Sequence, residues 1–479
     1  MEKLLRSFES VDKDGDGRVW TWELLSRLGQ AGIDPLDPRV RSALAGARDA
    51  DGRPLRLGSD QQPVQLDYPE FARIAEHGDG VIARALNGEL AISPAEFAEL
   101  SRGIEQIYAD LLPNRDGAVA DYIPTLRDAD PEKFGIAICT ADGQVFQVGD
   151  AAVPFSVQST SKPFSYAMAL EELGADEVDR WVGTEQSGGT FNDPTLSLDP
   201  DRKPRNPMIN AGAIATLALV GSGKAHSERF HTVKETWTAM MGQRPGSDTE
   251  TFYAEDETGD GNRQLAFAMA AKGRLKGGGG LAGTAATAQF YFQVCSLEVD
   301  AARLAAAGAT LASGGVAPYS GERVFSPETT RRVLSVMGHS GMYDGSGDFA
   351  HQVGLPAKSG VSGNVMMVVP SKRLAVVTFS PRLDAAGNSV RGVEVCKRLV
   401  NDFNLHPYGA TQPERTRTTE AARPLTEADR KAEMAQLIRR ALDGMTPVGT
   451  GTNLTRQPTP ETAEAATVTR RAQPPTQQL

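Results

Sequence analysis

Three cysteines in 479 residues leave little for a covalent framework, and Cys139, Cys295 and Cys396 stand far apart in apolar surroundings. That spacing supports neither paired disulfides nor a zinc cluster, and a reducing compartment is the simpler setting. A basic excess is also missing: 50 Lys and Arg stand against 61 Asp and Glu, a formal charge of -11. A nucleic-acid partner would need a basic face, and nothing here would draw the chain to an acidic membrane. No apolar run reaches the roughly 20 residues of a membrane-spanning helix. The opening Met1-Glu2-Lys3-Leu4-Leu5-Arg6 lacks the apolar core of a secretion signal, so a cytoplasmic location is expected. No solenoid period recurs. Gly277-Gly278-Gly279-Gly280 lacks the G-x-x-x-x-G-K-[ST] spacing of a phosphate cradle and reads as a flexible loop.

What is present is ordinary for a soluble chain of two or three domains: 40% apolar and 23% charged residues. Leu4, Leu5, Phe8 and Val11 recur at helical spacing and lead into Asp12-Lys13-Asp14-Gly15-Asp16-Gly17-Arg18-Val19-Trp20-Thr21-Trp22-Glu23. Those twelve residues fit an EF-hand loop, with Asp12, Asp14, Asp16, the Arg18 carbonyl and Glu23 as oxygen ligands for Ca²⁺ and Gly17 at the sharp turn. Such loops pair. A partner begins at Asp49-Ala50-Asp51-Gly52 and ends at Leu66-Asp67-Tyr68-Pro69-Glu70-Phe71, too long and proline-bearing to hold metal. The expected layout is an EF-hand-like module over 1–75 and a linker over 76–92. The remainder would be a catalytic domain over 93–406 and a largely disordered tail over 407–479, with one possible helix at 425–442.

Ser93-Pro94-Ala95-Glu96 is a capping box that opens a helix running through Phe97, Leu100, Ile104 and Tyr108. Asp121-Tyr122-Ile123-Pro124-Thr125-Leu126 reads as extended. Residues 134–140 and 144–148 form one hairpin; 364–369 and 374–380 form a second, followed by an amphipathic helix over 387–403. Between the hairpins, 163–345 is mainly helical. Two hairpins flanking a helical insertion predict an α+β fold, one antiparallel sheet built from both ends of the domain.

Just after the first hairpin comes Gln158-Ser159-Thr160-Ser161-Lys162. Ser159 and Lys162 stand one helical turn apart and can face one cavity. In this S-x-x-K spacing a lysine amine takes the serine proton, provided burial brings its pKa from about 10.4 toward about 7–8. Lys358-Ser359-Gly360, at the start of the second hairpin, resembles the K-[ST]-G strand that lines such sites, and together they indicate the penicillin-recognising serine fold in its broad sense.

Within that group the serine-dependent glutaminases are much more similar, over roughly residues 95–405. The resemblance rests on Asp121-Tyr122-Ile123-Pro124, Gln158-Ser159-x-x-Lys162-Pro163, Asn206-Pro207-Met208-Ile209-Asn210-Ala211-Gly212-Ala213-Ile214 and Glu255 seven residues before Asn262. It continues through Phe290-Tyr291-Phe292-Gln293-Val294-Cys295-Ser296, Gly341-Met342-Tyr343-Asp344 and Gly354-Leu355-Pro356-Ala357-Lys358-Ser359-Gly360-Val361. The N-terminal module resembles that of the longer animal-type members, whose ankyrin repeats are missing here.

The resemblance implies a β-lactamase-like fold and hydrolysis of L-glutamine with no catalytic cofactor. Substrate contacts would fall at Tyr122, Gln158, Ser159, Asn210, Glu255, Asn262, Tyr291, Tyr343 and Val361. Ser159 would be the nucleophile, Lys162 its base, and Tyr291 and Tyr343 the proton carriers. The Ser159 and Val361 N–H groups would form the oxyanion hole, and the chain would self-associate as a dimer or tetramer. The stretch between Asn262 and Tyr291 is lengthened, and the family's gating loop would lie near Phe191-Asn192.

Two other readings remain open. A penicillin-binding protein or β-lactamase would carry an S-x-N element before the K-[ST]-G strand; the only near candidate, Ser362-Gly363-Asn364, lies just beyond it. The other is a calcium-responsive binding protein whose enzyme-like domain is inactive.

Overall fold

The structure, a computed structural model, describes residues 2–12, 14–48, 64–187, 203–277 and 279–409. The second half-loop after Asp49, the gating residues Phe191-Asn192 and the expected helix at 425–442 lie outside them.

Among the described residues, five helices make an N-terminal module: α1 (Glu2–Val11), α2 (Thr21–Gln30), α3 (Pro38–Ala45), α4 (Tyr68–Ala75) and α5 (Val81–Asn87). Two short strands, β1 (Val19–Trp20) and β2 (Gln65–Leu66), pair antiparallel between them. The apolar faces of all five meet in one core that includes Phe8, Leu28, Phe71, Ile74, Ile82 and Leu86. Residues 76–92 are therefore not a linker. Val81, Ile82, Ala85 and Leu86 are buried in that core, and their helical spacing makes α5 part of the module.

The expected calcium ligands are only partly gathered. Carboxylate oxygens of Asp12, Asp14 and Asp16 lie within 4.8 Å of one another. Asp12 accepts the Gly15 and Gly17 N–H groups, each at 2.9 Å, and Asp16 accepts the Arg18 N–H at 2.8 Å. Glu23 is turned elsewhere: its Oε2 accepts the Trp20 N–H at 3.1 Å, capping α2.

The larger part opens with α6 (Pro94–Leu111), where the Ser93 hydroxyl accepts the Glu96 N–H and Pro94 fills the first turn. Next comes α7 (Pro124–Arg127), where an extended stretch was expected; Ile123 is extended before proline, and Pro124 then starts a single turn. Strands β3 (Gly135–Thr140), β4 (Val145–Gly149) and β5 (Phe155–Ser156) lead to a 3₁₀ turn over Gln158–Ser161. The helical insertion then runs through α8 (Lys162–Leu173), α9 (Ala175–Val178), α10 (Asn210–Leu219) and α11 (His226–Met241). After β6 (Gly246–Ser247) it continues with α12 (Thr249–Thr258), α13 (Asp260–Ala271) and α14 (Gly280–Cys295). Beyond β7 (Leu297–Val299) come α15 (Ala301–Ala312), α16 (Pro327–Ser340) and α17 (Ser346–Gln352). Strands β8 (Ala357–Gly360), β9 (Asn364–Val369) and β10 (Leu374–Phe379) and helix α18 (Val390–Asp402) close the described fold.

The main sheet is antiparallel, in the order β4-β3-β10-β9-β8. Both hairpins form as expected and join through β10 against β3, with Val376 opposite Ile138. Every residue of β3, β9 and β10 is buried, because helices cover both faces. Alternate residues divide between the two faces. Ala137, Cys139, Met366, Val368 and Val377 join the core of α8, α10 and α15. Ile136, Ile138, Val365, Met367 and Val376 face α6 and α18. A small second sheet, β5-β7-β6, anchors the chain just before Gln158.

The two parts meet at the β3–β4 turn. Asp142 accepts from Arg84 and from the Ala91 N–H, each at 2.5 Å. The buried Arg39 donates to the Asp142 carbonyl and to both oxygens of Asp37. The Gln144 amide reaches the Ala31 carbonyl at 2.8 Å.

Candidate active site

Residues from six separated segments converge at the start of α8. Ser159 lies on the 3₁₀ turn rather than on the helix itself, which starts at Lys162, and both are buried. The turn is held by local bonds, Thr160 Oγ1 to the Val157 carbonyl at 2.6 Å and Ser161 Oγ to the Gln158 carbonyl at 2.7 Å. Lys162 Nζ lies 2.9 Å from Ser159 Oγ and 2.6 Å from Asn210 Oδ1. Burial pulls the lysine down to about 8, against the opposing pull of Cys295 and Glu255. Its neutral form is therefore accessible near neutral pH. That is the condition S-x-x-K chemistry requires.

Two site residues hold left-handed backbone that a side chain normally avoids: Gln158 at φ +47° and Tyr343 at φ +50°. Each costs on the order of 1–3 kcal/mol, strain that clusters where geometry is dictated by function. Tyr343 faces Ser159, and its ring lies under the Lys358 amine at 4.3 Å. Lys358 is fully buried, its Nζ donating to the Ser359 carbonyl at 2.8 Å. Burial, and then the neighbouring Lys162, hold its pKa well below the ordinary lysine value.

On the other side, the Tyr122 hydroxyl donates to Glu255 Oε1 at 2.7 Å, with the Gln158 side chain also bonded to that carboxylate. Burial raises Glu255, offset in part by those two bonds and by Lys162. Asn210 heads α10 and donates to Asn262 Oδ1 at 3.0 Å. Tyr291, on α14, reaches Asn210 Oδ1 at 3.4 Å, and burial lifts its phenol well above the usual value. Val361 follows β8 at the tight turn into β9. There the Ser362 hydroxyl bonds the Ser156 carbonyl at 2.7 Å and brings the turn alongside the nucleophile's segment. The structure thus gathers Tyr122, Gln158, Ser159, Lys162, Asn210, Glu255, Asn262, Tyr291, Tyr343 and Val361 in one region.

Ser362-Gly363-Asn364 does not supply an S-x-N element. Asn364 donates to Ser362 Oγ at 2.8 Å and to the Ser156 carbonyl at 3.3 Å, which makes it a staple between β9 and the β5 segment. Cys295, four residues after Tyr291 and thus on the same helix face, was given no part in the site by the sequence reading. It is bonded to the Tyr291 and Ser161 side chains, and burial pushes it up to about 12. The i, i+4 spacing was the available signal.

An acyl-transfer site of the serine–lysine type, cut into a mixed α and β fold with antiparallel sheets, is the class that fold and geometry define. Residues 117–408 match the glutaminase family. The chain is 37% identical over 402 residues to putative glutaminase 3 of Caenorhabditis elegans, spanning 84% of this chain and 67% of that one. It is 36% identical over 396 residues to the mitochondrial liver-isoform glutaminase of Mus musculus, 82% of this chain and 64% of the relative. The match thus spans about two thirds of each animal relative. With a glutaminase of Microcystis aeruginosa it is 43% identical over 308 residues, covering 64% and 88%. The solved structure of Mglu in its native form superposes with TM-score 0.60 at 40% identity, covering 66% of this chain and 74% of that one. That of the probable glutaminase ybaS gives 0.61 at 32%, covering 65% and 98%. The chain belongs to the glutaminase family.

Among the described residues, no helix is long and apolar enough to cross a membrane.

Proposed function

We propose that the chain hydrolyses L-glutamine to L-glutamate and ammonia through a glutamyl ester on Ser159. The observation that carries this is the 2.9 Å approach of Ser159 Oγ to a buried lysine amine drawn down to about 8. Ser159 Oγ attacks the side-chain amide carbon while its proton passes to Lys162 Nζ. The oxygen charge that develops is met by the Ser159 and Val361 N–H groups. Tyr291 and Tyr343, both buried phenols, carry the proton to the departing nitrogen, and the C–N bond breaks with release of ammonia. Water then adds to the ester carbon, and Ser159 leaves with its proton restored. Glu255 meets the substrate α-ammonium, while Asn210, Asn262 and Tyr122 face its α-carboxylate. No cofactor takes part.

Ammonia release by the purified chain from L-glutamine, beside L-asparagine and penicillin, tests the reading. Asparagine holds its amide one methylene short of Ser159, so turnover of glutamine alone is expected. Equal turnover of both amides, or hydrolysis of penicillin in their place, overturns it.

A second reading concerns residues 12–23 and is favoured by the three carboxylates within 4.8 Å. Asp12, Asp14, Asp16 and the Arg18 carbonyl would hold Ca²⁺, with Glu23 as a further ligand, stabilising the module without entering the chemistry. Trp20 and Trp22 report on it: calcium that changes neither their emission nor the melting curve, with Glu23→Gln behaving as parent, ends that reading. Self-association as a dimer or tetramer, to be measured by light scattering, belongs to the same proposal. So does a cytoplasmic setting, which suits three buried, unpaired cysteines.

A further inference from the structure

Asn210 was assigned on the sequence to substrate binding, yet its side chain is engaged inside the protein on both ends. Its Oδ1 lies 2.6 Å from Lys162 Nζ and 3.4 Å from the Tyr291 hydroxyl, and its Nδ2 donates to Asn262 Oδ1 at 3.0 Å. In this arrangement the amide oxygen is the end that faces the lysine, and the amide nitrogen is the end bonded to Asn262. That matters because a neutral amine has two N–H bonds and a single lone pair. An amide NH₂ pointed at the amine would take the lone pair, whereas an amide oxygen takes one hydrogen and leaves the lone pair for another partner.

The frame around Asn210 is rigid. Asn206 Oδ1 accepts the Met208 N–H at 2.9 Å and its amide donates to the Glu185 carbonyl at 2.8 Å. A Cβ on Gly212 would collide with the Asn206 carbonyl, so the first turn of α10 is pressed against this loop and Asn210 has little room to shift.

We infer that Asn210 is the positioning residue for the base: its Oδ1 takes one hydrogen of the Lys162 amine and so directs the lone pair at the Ser159 hydroxyl. Asn262, by holding the Asn210 amide in that orientation, stands one bond further back. The inference rests on the Ser159–Lys162 reading and extends it to a group with no covalent part in the reaction.

The groups facing Lys162 are Ser159 from the 3₁₀ turn, Asn210 from α10, Glu255 from α12, Cys295 from α14 and Lys358 from β8. Burial pushes the Cys295 thiol up to about 12 and holds the Lys358 amine well below its ordinary value, and Glu255 is the carboxylate among these neighbours. A carboxylate placed at 210 would therefore add a second negative charge, beside the amine itself.

The test uses methanesulfonyl fluoride on the full chain. Ser159 Oγ bonds to sulfur, fluoride leaves, and the serine proton goes to Lys162. The reagent has neither α-ammonium nor α-carboxylate, so its rate reports the serine–lysine pair without substrate recognition. In the parent, labelling of Ser159 should rise with pH through about 8. Asn210→Ala should slow it by about tenfold or more, the worth of one oriented hydrogen bond. Asn210→Asp, nearly the same shape, should move the midpoint up by about one pH unit or more. Should Asn210→Ala fail to fold, as judged by its melting curve, the Asp variant carries the test. If both variants label as the parent does and only the KM for L-glutamine rises, Asn210 serves binding alone and the inference falls. A parent labelled elsewhere than Ser159 removes the serine–lysine reading itself, and this inference with it.

Discussion

The Tyr122 hydroxyl donates to Glu255 Oε1 at 2.7 Å, across 133 positions of chain. The bond ties the segment before α7 to α12 and fixes a carboxylate at the rim of the site. The tyrosine is 47% exposed, so this corner lies near the entrance, while Glu255 behind it is buried.

Removing the hydroxyl in Tyr122→Phe should raise the KM for L-glutamine about tenfold or more. A hydrogen bond to a charged group is worth roughly 1.5–3 kcal/mol, and Glu255 would lose the partner that holds it in place. Glu255→Ala should weaken binding further, since the α-ammonium would have no counter-charge. Steady-state kinetics on both variants check this, and an unchanged KM in Glu255→Ala would show that the pocket is turned the wrong way.

Ser159→Ala should lower turnover by at least about a thousandfold while the melting temperature stays near that of the parent. A glutamine-like diazoketone should attach to Ser159, as read by mass spectrometry of the digested protein. Modification at any other residue transfers the nucleophile's role there.

The pH profile follows from Lys162. Its amine must be neutral to take a proton, so kcat/KM should climb as pH rises through about 8 and flatten above it. The same shift bears on stability with a definite sign. Its folded value lies below its ordinary 10.5, so the folded chain binds fewer protons than the unfolded one between about 8 and 10.5. The Lys162 contribution therefore stabilises as pH rises through that window. Substituting Lys162 by Met should abolish the rise in rate and remove this contribution from the pH dependence of unfolding. A rate profile flat from pH 7 to about 9 would mean that another group is the base.

At the junction of the two parts, Arg39→Ala should destabilise the chain by about 3–5 kcal/mol, because the buried Asp37 carboxylate would lose the partner of its ion pair. The Asp142 carbonyl would lose a donor in the same step. Thermal unfolding measures it; a loss no larger than that of an exposed ion pair would show that the module is only loosely attached.

Much of the frame was legible because its signals are local. The Ser93 N-cap, the two hairpins and the final helix each depend on neighbours within a few residues, and each formed at or near its expected place, although the Glu96 side chain bonds Lys372 in place of closing the capping box. Ser159 and Lys162 were paired by their one-turn spacing together with the Lys358-Ser359-Gly360 strand further on. Less legible was whatever depended on a distant face. The stretch over 76–92 read as a connection because its few apolar residues are too short a pattern by themselves, and only the cores of α1, α2 and α4 make α5 a helix worth burying. Glu23 matched the last position of a metal loop by sequence, but the start of α2 offered it the Trp20 N–H.

Order along the chain determined the spacing of the serine and lysine and the runs that become the sheet. Covalent neighbours and side-chain periodicity need no distant partner to exert themselves. Tertiary structure alone decided how far the pKa of the lysine falls and the direction of its lone pair. The first comes from helices packed around Lys162, which remove the water that would hold its charge; the second comes from an amide 48 residues further on, turned by another beyond it. Burial and orientation are properties of a place in space, and that place exists only once α8, α10 and α13 are packed together.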